Sequence, residues 1–216
     1  MSRPTLRHIA ASGMLGCVIL LLSGCPFLGN QIVYFPDQAL DSAVRAALNK
    51  PFGFLTEADL VDVNELDAAG LGITSLEGLE YCIYLTHLDL RSNNVTSIRE
   101  LADLHDLRWL DLGDNLVRDI EPLSGLLLLE FANLFGDGQE IWDFSPLQAN
   151  AEAMNSHLPG GVLILPSRTT LDRDGGLAAD FQEVYDQLVA LEVDVIIADA
   201  DESEIIVGAD ESEAAR

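Results

Sequence analysis

From Val63 to Leu147 the apolar positions of the chain return every 22 residues. Leu85, Leu88, Leu90, Asn93, Val95, Ile98, Leu101 and Leu104 recur as Leu107, Leu110, Leu112, Asn115, Val117, Ile120, Leu123 and Leu126. One period upstream stand Val63, Leu66, Ala68, Leu71, Ile73, Leu76, Leu79 and Cys82; downstream come Leu129, Ala132, Leu134 and Asp137, then Ile141, Phe144 and Leu147 after a one-residue contraction. A single unit of this size cannot bury its own apolar side, so the units must stack. The spacing predicts an α/β solenoid of about four turns over residues 63–147, with a parallel β concave face and an irregular or 3-10 convex face. Successive strand side chains point to opposite sides, so the Leu positions face in and the residues between them face out. Three outward columns result: Glu65, His87, Trp109 and Phe131; Asp67, Asp89, Asp111 and Asn133; Ala69, Arg91, Gly113 and Phe135. Asn93 and Asn115 fill an inward polar slot, where an amide can satisfy backbone groups otherwise buried unpaired. Asp137 can only accept there and Leu71 can do neither, so the outer turns are expected to be less regular.

The ends of such a stack need covering. Over residues 36–62 the pattern changes to a helical one. Ala39, Leu40, Ala43, Val44, Ala47 and Leu48 form one apolar stripe between Asp37, which favours a helix start, and Pro51, which follows its end. Thr56 and Asp59 have the spacing of a capping box. After Leu147, residues 148–198 read as a helix–strand closing cap. Gln148 to Gly161 is expected to be a loop with a short helix, Val162–Leu165 a buried strand, and Pro166 to Gly176 a turn region. Leu177, Phe181, Val184, Tyr185, Leu188 and Leu191 have helical spacing, and Val193–Ala198 reads as a last strand. Residues 199–216 repeat Ala-Asp-Glu-Ser-Glu and are expected to be a disordered acidic tail.

The pattern L-x-x-L-x-L-x-x-N-x-L resembles that of leucine-rich repeats. The cap wording from Pro36 to Leu60, with the Leu66–Tyr81 turn after it, resembles internalin-type bacterial leucine-rich repeat proteins over roughly residues 32 to 200; Leu71 stands where that family has Asn. The resemblance implies protein partners, although internalins usually carry more repeats.

The first 24 residues hold Arg3 and Arg7, an apolar run from Met14 to Leu22, and no acid. That run is too short to span a bilayer and has secretory dimensions. Leu22-Ser23-Gly24-Cys25 resembles a bacterial lipobox, which implies removal of residues 1–24 and lipidation of Cys25, with residues 25–35 as a short tether. Ordinary signal cleavage nearby is the alternative. No Asp follows Cys25, which by the same resemblance favours the outer membrane, on its periplasmic or its exposed side, within a bacterial cell envelope.

Beyond the leader stand 9 basic against 36 acidic residues, a formal −27. Such a chain repels nucleic acid, and basic partners or divalent cations suit it better; solubility alone would explain the charge equally well. Cys82 is left as the one cysteine of the body, in a slot that later turns fill with Leu, and reads as a small buried hydrophobe. No G-x-S-x-G, H-E-x-x-H, C-x-x-C or phosphate-binding glycine loop occurs, so no catalytic residue, cofactor or metal site is expected. Asp199, Asp201, Ser203, Ile205 and Asp210 only superficially match a calcium loop: Glu204 stands where Gly is needed.

The candidate site is therefore the outward face. His87, Trp109 and Phe131 make an aromatic patch of the kind enriched at contact surfaces, flanked by Asp67, Asp89, Asp111, Arg91, Asn133 and Phe135 as polar and aromatic neighbours. The expected protein is a monomeric, lipid-anchored module that binds a protein or glycan ligand, basic or aromatic-contacting. The alternatives are that Trp109 packs beneath a loop, and that the chain is a structural acidic envelope component with no specific concave-face ligand.

Overall fold

The computed structural model describes residues 31–136, 141, 143–147, 162–166, 182, 185–186, 194–198 and 206–208. The expected leader, Cys25, Asp137, the loop expected at 148–161, the turn region expected after Pro166, most of the helix expected at 177–191 and the acidic runs of the tail lie outside these residues. The elements in order are β1 (Ile32–Val33), α1 (Gln38–Ala47), β2 (Leu55–Thr56), α2 (Glu57–Leu60), β3 (Glu65–Asp67), β4 (His87–Asp89), β5 (Trp109–Asp111), β6 (Phe131–Asn133), β7 (Val162–Pro166), β8 (Asp194–Ala198) and β9 (Ile206–Gly208). Strands β3 to β8 pair in sequence order, all parallel, and β9 closes the sheet antiparallel to β8.

The inward residues stack in register as Leu66, Leu88, Leu110, Ala132, Leu163 and Val195, and every one is buried. The ladder thus runs past the 22-residue repeats into β7 and β8. Short 3-10 segments at Leu79–Tyr81, Arg99–Leu101 and Glu121–Gly125 make the opposite side. Val95, Ile98, Leu101 and Leu104 of one turn, and their equivalents in the next, are likewise buried. Burying one such side chain stabilises the stack by roughly 1.5–3 kcal/mol. Cys82 lies in this core, and burial, reinforced by the Glu80 carboxylate, pushes its thiol up to about 12. It is packing, not a nucleophile.

Asp37 is the N-cap of α1: one carboxylate oxygen accepts from the amides of Ala39 (3.0 Å) and Leu40 (3.2 Å). Its other oxygen accepts from the Thr74 amide (2.8 Å) and hydroxyl (3.1 Å) and the Ser75 amide (3.4 Å), so one side chain caps the helix and fastens it to the first turn. Burial raises this carboxyl, but the bonds from Thr74, Leu40 and Ser75 together outweigh it and hold the group below its ordinary value. Two residues upstream, Phe35 is buried against Gly78, whose φ of +101° no other residue adopts readily; a Cβ there would lie 2.8 Å from the ring. In the following helix the Asp59 carboxylate accepts from Lys50 Nζ and from the Thr56 amide and hydroxyl, closing the expected capping box.

Four expectations are corrected. Residues 32–33, read as tether, pair as β1 with β2 because Val33 and Leu55 share a buried side. Ala47 is exposed, so the fully buried part of the α1 stripe ends at Val44. Leu71 is 47% exposed and takes no inward slot; with no turn before it, its backbone amide is bound by Asn93 of the next turn instead. The tail is not wholly unstructured, because Ile206–Gly208 adds to the free edge of β8, whose Ile196 and Ile197 it pairs.

Candidate functional site

The register fixes the outward columns. Glu65, His87, Trp109 and Phe131 stand side by side across four strands, as do Asp67, Asp89, Asp111 and Asn133. Trp109 and Phe131 are both half-buried and stack, with ring centroids 5.0 Å apart and planes 6° apart. Such stacking adds about 0.5–1.5 kcal/mol to area burial and fixes both rings. Since Phe131 covers one face of the indole, the other face looks towards β4. There it borders a shallow depression of about 250 Å³ lined by Glu65, Leu66, Asp67, His87, Asp89 and Trp109.

His87 is exposed, with Nδ1 2.9 Å from the Thr86 hydroxyl oxygen. That hydroxyl also lies 3.0 Å from the Asn64 carbonyl oxygen, which ties His87 to the turn before it.

The second column shows what its acids do. Each turns an oxygen back onto the amide two residues on: Asp67 to Ala69 (3.3 Å), Asp89 to Arg91 (3.0 Å), Asp111 to Gly113 (2.8 Å), and Asn133 to Phe135 (3.0 Å). This is the local bond that makes Asx residues favoured where a chain turns. Exposure falls along the column: Asp67 is exposed, the Asp89 side chain is 14% exposed, and Asp111 is buried. Arg91 lies over both inner acids, with Nη2 2.9 Å from Asp89 and Nε 3.7 Å from Asp111. Its own pKa is raised by the hydrogen bond and charge of Asp89, then by Asp111.

A family description of leucine-rich repeats in two copies matches residues 85–125. Internalin H of Listeria monocytogenes is 39% identical to this chain over 66 residues, 30% of this chain and 12% of the relative. Among solved structures, internalin C2 of Listeria monocytogenes superposes with a TM-score of 0.53 at 29% identity, covering 57% of this chain and 56% of that one. The repeats and the fold of this chain are similar to those of internalins. The chain matches about an eighth of the length of internalin H and rather more than half of the internalin C2 chain, so the resemblance is one of repeats and fold.

Of the residues expected at the site of this internalin-like chain, His87, Trp109, Phe131, Asp67, Asp89 and Arg91 reach one continuous surface. Asp111 was expected to face out as a polar contact, but it is closed in. Gly113 has no side chain to hold it off, and the Asn133 amide donates to it at 3.0 Å. Asn133 and Phe135 are half-buried beside it. Glu65, which lines the depression, was recognised only as a member of its column; its part was legible from its place beside His87. No helix among the described residues is long and apolar enough to cross a membrane.

Burial raises the Asp111 carboxyl, and the Asp89 charge adds to this against the opposing Gly113 and Asn133 bonds. A carboxyl with a raised folded pKa contributes stability below its unfolded pKa and loses it as pH rises through the folded one. Asp111→Asn keeps an acceptor oxygen and removes the charge. It is therefore expected to raise the melting temperature at pH 7, with the advantage shrinking as pH falls through the raised folded pKa and gone below about 4. A melting series from pH 3 to 7 checks this; a lower melting temperature for the variant at pH 7 would contradict it.

Proposed function

We propose that this chain is a non-enzymatic, membrane-tethered binding module of the bacterial cell envelope, anchored by lipid at Cys25. On this reading its concave face receives a basic segment of a protein partner. The observation that carries it is the uncovered face of Trp109 beside the Glu65, Asp67 and Asp89 carboxylates. A cation over an indole face gains about 0.5–2 kcal/mol, more when carboxylates flank it and water is excluded. An Arg side chain suits this arrangement best, because its plane lies flat on the ring while its edge donates to the acids. The indole needs no induced ordering to receive it, since Phe131 already holds it in place. The formal −27 beyond the leader draws a basic partner in, with an on-rate that falls as salt rises. A glycan stacked on Trp109 would need no such salt dependence, which separates the two ligand classes.

Hexa-arginine peptide titrated by calorimetry against the chain and its Trp109→Ala variant tests this reading. About tenfold weaker binding is expected in the variant, with an unchanged circular dichroism spectrum. Glu65→Gln with Asp67→Asn is expected to flatten the salt dependence. Equal affinity of wild type and Trp109→Ala would remove the proposal.

A further inference from the structure

The four most exposed large apolar side chains among the described residues all belong to the amino-terminal cap: Phe52 at 85%, Tyr34 at 76%, Phe54 at 72% and Ile32 at 60%. The β1–β2 register explains why Ile32, Tyr34 and Phe54 share a side. Val33 sits opposite Leu55, both buried, so Ile32 and Tyr34 turn outward, and the same register carried one residue further sets Tyr34 opposite Phe54. Phe52 precedes Phe54 across Gly53, whose φ of +90° makes the bend. This loop is held from behind. The Arg45 guanidinium donates to the carbonyls of Gly53 (3.1 Å) and Lys50 (3.4 Å), so the aromatic rings are presented by a fixed backbone.

Two further facts single out what covers this patch. First, only six residues separate Cys25 from Ile32, a reach of at most about 25 Å even when fully extended. Second, the charge is uneven. Residues 26–62, through the end of the cap, carry five acids and two bases, a net −3, whereas residues 63–216 carry 31 acids and 7 bases, a net −24. An anionic bilayer therefore repels the solenoid far more than the cap.

We propose that Ile32, Tyr34, Phe52 and Phe54 enter the lipid–water interface and set the chain's orientation on its membrane, cap down and solenoid away; this rests on the lipid anchor at Cys25. Tyr and Phe are suited to that zone. The orientation would leave the concave sheet free of the bilayer.

The test places a reporter in the patch. Phe54→Trp is prepared in the lipidated full-length chain and in its Cys25→Ser form, and tryptophan quenching is read on phosphatidylcholine vesicles containing brominated lipid. Tyr84→Trp, exposed on a turn of the solenoid, is the control. At least twofold more quenching at position 54 than at 84 is expected. The triple change Tyr34→Ser, Phe52→Ser and Phe54→Ser should lower vesicle partitioning of the Cys25→Ser chain about tenfold. Equal quenching at the two positions in a lipidated, vesicle-bound chain overturns the patch and leaves the anchor standing. Absence of radiolabelled palmitate at Cys25 overturns the anchor, and the Cys25→Ser quenching then decides the patch alone. Concentration-dependent dimerisation lost in the triple variant, with no lipid effect, assigns the patch to a second copy and also overturns the proposal.

Discussion

Leu110→Asp is expected to abolish cooperative folding of the solenoid at neutral pH. Leu110 is fully buried in the middle of the sheet, in register with Leu88 on one side and Ala132 on the other. The substitution forfeits roughly 1.5–3 kcal/mol of apolar burial. It also puts a carboxylate where no cation can reach it, at a cost of several kcal/mol more even after relaxation. Together these approach the whole stability of a domain, about 5–15 kcal/mol. Because each turn holds its neighbours, the loss should spread along the stack. Far-UV circular dichroism and limited proteolysis check it. Trp109→Asp is the matched control: it alters the neighbouring but outward position and should leave a folded chain. A Leu110→Asp protein melting within a few degrees of wild type would show that the ladder is not the core.

Asn93→Ala is expected to cost about 3–5 kcal/mol, the largest effect of any polar substitution in the described solenoid. The Asn93 Oδ1 accepts from the amides of Leu71 (3.0 Å) and Ile73 (2.9 Å), and its Nδ2 donates to the carbonyls of Ala68 (2.8 Å), Leu90 (2.8 Å) and Arg91 (3.2 Å). Deleting the amide leaves these groups inside the stack, and each one unpaired costs about 1–3 kcal/mol. Asn115 repeats the arrangement one turn on, accepting from Val95 and donating to Leu90, Leu112 and Gly113. Leu90 O therefore serves two turns at once. Asn93→Asp is nearly isosteric, but as a carboxylate it faces the carbonyls that the amide bonded. It should be at least as damaging as Asn93→Ala at pH 7 and partly relieved below pH 4, when the acid can donate again. Urea melts of both variants at the two pH values read this out. If Asn93→Asp proves milder than Asn93→Ala at pH 7, the bonding just described is not what stabilises the slot.

Much of this could be read along the chain, and some of it could not. The Asn slot, the Leu ladder, Cys82 in a Leu position and the membership of the outward columns all follow from one period, because spacing fixes the side from which a side chain leaves a strand. The capping box of Thr56 and Asp59 is equally local. The spacing says nothing of how far an outward side chain is then covered by its neighbours. Asp67, Asp89 and Asp111 are equivalent in sequence, yet one is exposed and one buried, because Arg91, Gly113 and Asn133 surround them unequally. The depression beneath Trp109 depends likewise on a ring from the next turn lying flat on one indole face only.

The sequence by itself determined the turn, its inward rungs and the members of the outward face, since these rest on contacts that repeat every 22 residues. The tertiary structure alone decided three things. It joined Asp37 to Thr74 and Ser75 across the cap boundary, folded Ile32–Val33 onto Leu55–Thr56, and carried the sheet through β7 to β9. Each of these joins residues whose separation follows no period. Pairing of that kind is selected by which buried surfaces and hydrogen-bonding groups remain to be satisfied once the stack exists, and no stretch of the chain carries that information in isolation.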